Sequence, residues 1–275
     1  MKDYSQYKLN IIPSPPDSRD WKYETIVKGS IINFPETLDW RMSMFTVRDQ
    51  GYQGSCAAMS GAAMKDWQEI KDVGVNEYMS PQFIYNNREN KISEGMTIRD
   101  LMHILKDIGT CRESLHPYGN IEPPSQVAYA DAAEYMIAGY ASIESIDGLK
   151  TALFENGPCV IALPVYNYTT RMWFKRLGDT QLGGHAMTSV GYDSNGFIIR
   201  NSWGDDWGDE GYTIFPYEDW GLQWEVWSTI DADSFPSPDP DPGPIPPKPS
   251  WWKNPWYWAI GLAVILGIIA FFAFK

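Results

Sequence analysis

A cysteine, a later histidine and a still later asparagine are the residues of this chain whose types and order suit nucleophilic catalysis. The loop Asp49-Gln50-Gly51-Tyr52-Gln53-Gly54-Ser55 delivers Cys56 to a run of helix formers: Ala57, Ala58, Met59, Ala62, Ala63, Met64, Trp67 and Ile70. Its first two turns are small and apolar almost all round, which predicts a buried helix. A thiol in the first turn feels the positive end of the helix dipole, so Cys56 is expected to be held toward the thiolate. Beside Ala and Met alone, such a cysteine would be only a small core residue. Two later stretches turn the reading. One is Gly183-Gly184-His185-Ala186-Met187; the other is Phe197-Ile198-Ile199-Arg200-Asn201-Ser202-Trp203-Gly204, continuing through Trp207-Gly208 to Gly211-Tyr212. An imidazole at His185 can take the thiol proton, and the amide oxygen of Asn201 can fix the ring's tautomer.

The elements that must position these groups fall into two kinds. From Pro35 to about Gly119 the pattern is helical. After the Cys56 helix, Ser80-Pro81 opens a second helix with proline at its first position. Ile98, Leu101, Leu105 and Ile108 then give a third helix, over Thr97 to Gly109, an amphipathic face. After Gly139 strands are expected: Cys159 to Val165, His185 to Tyr192, Phe197 to Arg200 and Tyr212 to Phe215. A short helix over Ile146 to Glu155, ended by Gly157-Pro158, precedes them. The turn Asp193-Ser194-Asn195-Gly196 makes a hairpin that brings His185 and Asn201 onto adjacent strands. His103 falls on the polar side of its helix and His116 in a loop; neither reads as catalytic. The acidic loop from Asp205 to Gly211 lacks the ligand spacing of an EF-hand and reads as a solvated turn.

With these blocks in this order, the chain resembles the papain family of cysteine peptidases from Pro35 to about Asp231. The gaps from Cys56 to His185 and Asn201 are 129 and 145 residues, against about 130–150 in that family. Pro35-Glu36-Thr37-Leu38-Asp39-Trp40-Arg41 looks like the start of a mature papain-like domain. Gln50 matches the family's oxyanion-hole glutamine. The resemblance implies an α+β fold of two lobes, helical and antiparallel β-barrel-like, with the site in the cleft between them. It implies a cysteine endopeptidase in which Cys56 attacks, His185 is base and then acid, Asn201 orients it, and Gln50 stabilises the oxyanion. Gly95, Met96, Gly184 and Trp203 are then expected beside the substrate, a peptide or protein, with no metal or organic cofactor needed. A thiol acyltransferase or deconjugating enzyme, or a catalytically idle membrane scaffold, would share the fold. The chain departs from the family at Gln53, where a disulfide cysteine is usual, and at Ala57, where an aromatic is usual.

The formal net charge of −13 argues against nucleic acid, which needs clustered Lys and Arg. With Cys56 set aside, only Cys111 and Cys159 remain to pair, and Cys159 beside Val160-Ile161-Ala162-Leu163 reads as a reduced core thiol. Residues 1–34 form a polar, proline-bearing arm, far shorter than the helical inhibitory prosegment of many papain relatives; it is expected either to lie along the catalytic lobe or to be trimmed. It carries no apolar signal region, so Asn167 of the sequon Asn167-Tyr168-Thr169 should stay bare. Residues 35–233 are the peptidase domain. Residues 234–250 form a proline-rich spacer that would span about 45 Å at ~3.1 Å per residue. Within 251–275, Trp256 to Phe274 is uncharged and mostly apolar, with Trp251, Trp252, Trp256, Tyr257 and Trp258 at one end. As a helix it would run roughly 28 Å. It reads as a single transmembrane anchor, inserted after synthesis, with the catalytic domain on the cytosolic side.

Overall fold

The computed structural model describes residues 3–27 and 34–230. The fold is built on the Cys56 helix, α2 (Cys56–Val73), which is buried from Cys56 through Glu69. A helix enclosed on all sides must find partners for its few polar groups. Lys65 and Glu69 pair one turn apart, and Asp66 accepts from the backbone N–H of Met79 at 2.6 Å. Beside α2 lie α3 (Pro81–Asn87) and α4 (Ile98–Asp107). The Ser80 and Thr97 hydroxyls cap them by accepting from the Phe83 and Asp100 amides at 2.9 and 3.0 Å. Helix α5 (Gln126–Ala132), not foreseen from the pattern, closes this side.

The second half is an antiparallel sheet of seven strands. Its path runs β2 (Gly139–Ser142), β7 (Glu225–Ile230), β3 (Cys159–Val165), β4 (Gly183–Tyr192), β5 (Gly196–Arg200) and β6 (Tyr212–Pro216). The short β1 (Leu38–Asp39) pairs with the far end of β4. Among the described residues the end strands β2 and β6 do not pair with each other, so the barrel-like lobe expected is an open sheet. Strands β3 and β4 are buried on both faces, which is why they read as unbroken apolar runs. Alternate residues serve different cores. Ile161, Leu163 and Met187 pack with α6 (Ile146–Glu155) and with α1 (Tyr23–Ile26), whereas Val160, Ala162 and Ala186 pack with α2 and α4. The β4–β5 register, Thr188 opposite Arg200, slips by one residue between Ser189 and Gly191. The Val190 carbonyl in that bulge accepts from Trp40, which ties in the strand after the arm. Cys111 and Cys159 are free, buried thiols.

Among the described residues, no helix is long and apolar enough to cross a membrane. The expected spacer and transmembrane anchor, residues 234–250 and 251–275, lie outside the described residues.

Candidate active site

The loop before α2 fixes its own shape with backbone and side-chain bonds. The Gln50 amide N–H donates to the Ser202 carbonyl at 2.8 Å, and Asp49 forms a bridge to Trp203, so the loop is sewn to the chain just after β5. The Gln50 side chain is buried, with Nε2 donating to the Gln53 carbonyl at 3.0 Å. Because that carbonyl can only accept, the amide nitrogen must face it and the oxygen must turn to the Ser202 hydroxyl, 2.8 Å away. Ser55 does not cap α2; its hydroxyl meets the Tyr118 phenol at 2.6 Å, and that phenol donates to the Gln50 carbonyl at 2.7 Å. The first-turn amides of α2 are thereby left to face Cys56 rather than a cap.

His185, on β4, and Asn201, just past β5, meet across the hairpin, with Nε2 and Oδ1 2.7 Å apart. The amide oxygen accepts only, so Nε2 carries the proton and Nδ1 is left as the basic nitrogen. Asn201 Oδ1 is held in turn by the Ser202 amide at 2.8 Å. Among the described residues, Nδ1 of His185 has no hydrogen-bond partner. The Cys56 sulfur meets the backbone N–H of Ala186, the next residue after His185. The Trp203 ring lies 4.8 Å, centre to centre, from the imidazole and covers it.

Electrostatics correct one expectation. Burial pushes the Cys56 thiol up from its usual value, against the pull of the Ala186, Ala57 and Asn10 amides and its own. Burial likewise lowers His185 to about 4, partly offset by Asn201. Desolvation thus opposes the helix end and pushes both groups toward their neutral forms beneath the arm.

What covers the pair is the N-terminal arm. Residues 9–12 run through the cleft between the two edges expected to hold substrate. Gly184 N–H donates to the Leu9 carbonyl and Ile11 N–H to the Gly184 carbonyl, both at 3.3 Å. Ile12 N–H donates to the Met96 carbonyl at 3.1 Å. Both bridges, Asn10 to Gly184 and Ile11 to Met96, are parallel. Gly95 is required here: a Cβ would lie 2.6 Å from the Asn10 carbonyl oxygen. Upstream, Tyr4 and Tyr7 stack on Trp203 at 5.8 and 5.1 Å, and Tyr7 donates to Asp49 at 2.8 Å. Downstream, the Ser14 hydroxyl accepts from the Arg99 amide, and the Arg99 guanidinium pairs with Asp20. Tyr23 is buried against α6, and Glu24 accepts from the Glu144 and Ser145 amides, each at 2.9 Å.

Gln50, Cys56, His185, Asn201 and Trp203 are thus brought together, and Gly95, Met96 and Gly184 line the cleft that the arm fills. His116 lies elsewhere, its ring bonded to Asn86, and His103 sits beside Tyr140. Sequence reasoning missed Ser202, Tyr118 and Glu94, because each acts on a partner far away in the chain.

The pattern of the papain family of cysteine proteases matches residues 34–222. The chain is 31% identical to cysteine proteinase 3 of Entamoeba histolytica over 204 residues, 68% of this chain. It is 32% identical to a peptidase C1-like protein of Acanthamoeba polyphaga mimivirus over 199 residues, 62% of this chain. It spans 65% and 64% of the lengths of these two relatives, somewhat under two thirds. Xylellain, a cysteine protease from Xylella fastidiosa, superposes with a TM-score of 0.72 at 31% identity, covering 84% of this chain and 99% of xylellain. The family pattern runs over the stretch from Gln50 to Trp203 that builds the site. On both grounds the chain belongs to the papain family of cysteine proteases, hydrolases whose α+β fold it shares.

Proposed function

We propose that this chain is a cysteine endopeptidase held latent by its own arm. The observation that carries the reading is the His185–Asn201 bond, which commits Nε2 and leaves Nδ1 as the free basic nitrogen. Once the arm leaves the cleft, Nδ1 takes the Cys56 proton and the sulfur attacks the peptide carbonyl. The oxyanion is met by the Gln50 side-chain amide and the Cys56 backbone N–H. As the tetrahedral intermediate collapses, the C–N bond breaks and His185 returns the proton to the leaving amine. Water, deprotonated by His185, then releases the acid from the thioester. Asn201 holds the ring through both transfers. No step needs a metal or organic cofactor, and the substrate is a peptide or protein.

The arm supports latency by lying parallel to both edges and filling the site with its own backbone. Residues 251–275 are proposed as the membrane anchor, with the peptidase domain on the cytosolic side. A peptide library offered to the full chain, read by mass for cleavage against acyl transfer, tests the activity. Cleavage that vanishes in Cys56→Ser upholds it; transfer products, or cleavage that survives the substitution, would overturn it.

A further inference from the structure

The connection from β3 to β4 carries apolar side chains outward that the peptidase chemistry does not use. Its ends are clamped: the Leu182 amide donates to the Val165 carbonyl at 2.7 Å, and the Tyr166 amide to the Met172 carbonyl at 2.9 Å. Trp173 is buried and donates to Asp219 at 2.8 Å, which fixes the root. From Phe174 to Gly178 every residue is exposed. Phe174 and Leu182 are 40% and 47% exposed, and Leu177 is 107% exposed, as open as in an extended chain. A Cβ at Gly178 would meet nothing within 4 Å, so the tip projects outward. It is shaped all the same: the Asp179 amide donates to the Arg176 carbonyl at 3.1 Å, and the Asp179 carboxylate accepts from the Arg176 amide at 2.9 Å. Asp179 is the one acidic residue between Trp173 and Gly183. Lys175 rests over the Tyr166 ring at 5.8 Å and, among the described residues, pairs with no carboxylate. Among the described arginines, Arg176 is the one whose guanidinium has no hydrogen-bond or ion-pair partner.

We infer that residues 174–182 are a second membrane contact, seated on anionic lipid. Exposed Leu and Phe beside uncommitted Lys and Arg suit that boundary, where apolar groups enter the acyl region and cations meet the headgroups. The inference rests on the membrane reading of residues 251–275, which would keep the domain near the bilayer, so that a weak contact suffices. The net charge of −13 turns the acidic remainder of the chain away from such a surface and leaves this tip to face it. Because the connection ends beside Gly184 and His185, a seated tip brings one wall of the cleft to the lipid, and peptides at the bilayer surface become the nearest substrates.

The test places a polarity-sensitive dye on the full chain carrying Thr180→Cys and Cys56→Ser, whose other two thiols are buried. Thr180 is exposed beside the tip. The vesicles are phosphatidylcholine alone, or equal parts of phosphatidylcholine and phosphatidylserine. Dye emission should move to the blue on the mixed vesicles, with a seated-to-free ratio roughly tenfold above that on neutral ones. High salt should lower the ratio. Lys175→Gln with Arg176→Gln should return it to the neutral level, and Leu177→Asp should abolish seating. These side chains are exposed, so the variants keep the fold, which continued protection of Cys111 and Cys159 from alkylation verifies. Emission alike on the two kinds of vesicle would give the tip to a protein partner instead and overturn the inference, as would a ratio unchanged in either variant. Flotation of the chain with neutral vesicles reads the anchor separately, so either reading can fail without the other.

Discussion

Gln50 faces two ways, and its two bonds set different expectations. Its nitrogen would meet the oxyanion, so Gln50→Ala should lower turnover by about 10²-fold or more. The Ser202 hydroxyl only steadies its oxygen. Ser202→Ala should therefore cost about 3- to 10-fold in kcat with KM little changed, the scale of one neutral hydrogen bond. Equal losses from the two substitutions would show that Ser202 does more than orient. Asn201→Ala should cost tenfold or more in turnover while Cys56 remains the thiol that iodoacetamide labels in the active enzyme. Full activity in that variant would remove Asn201 from the mechanism. At this scale the sequence was informative where chemistry demands a residue type, as at Cys56, His185 and Asn201. It was silent where a common residue acts at long range. Ser202 reaches back 152 positions to Gln50, and Glu94 meets Lys8 across 86. Nor does sequence reveal what lies on top of a thiol, which is why the helix dipole alone gave the wrong direction for Cys56.

Among the elements, those with a strong local rule were legible: Ser80-Pro81 at a helix start, the periodic face of α4, and the turn at Asp193–Gly196. Helix α5 buries little beyond Ala128 and Ala132, and β7 shows no alternation, because five of its six residues are buried. The path of the arm leaves no pattern at all, since it meets its neighbours through single bridges rather than a ladder. Its seating should nevertheless respond to pH. Burial, to which the arm contributes, holds His185 at about 4, against about 6.5 for an unperturbed imidazole. The covered state thus binds fewer protons. The stabilisation this gives the covered state is complete above about pH 6.5 and is lost as pH falls toward 4. Hydrogen exchange, corrected for intrinsic rates, should show the Ile11 and Ile12 amides losing protection between pH 7.5 and 5. Undiminished protection would separate arm seating from His185.

For the whole molecule, protease added to sealed, cytosol-facing vesicles bearing the full chain should digest residues 1–235, and Asn167 should carry no glycan. A protected domain or a glycan would place it in the lumen. The arm has a further consequence at this scale. Because Tyr23 and Glu24 are anchored in the fold while residues 9–12 lie over the thiol, the blocking stretch is a tethered ligand, present at an effective concentration in the millimolar range. Diluting the intact chain should not relieve its latency. One cut between Ile12 and Asp17 would turn the same stretch into a separate peptide, and its hold would then depend on concentration. Activity per molecule should rise on dilution of the nicked chain and stay flat for the intact one, so that a single hydrolysed bond converts a unimolecular lock into a dissociable inhibitor.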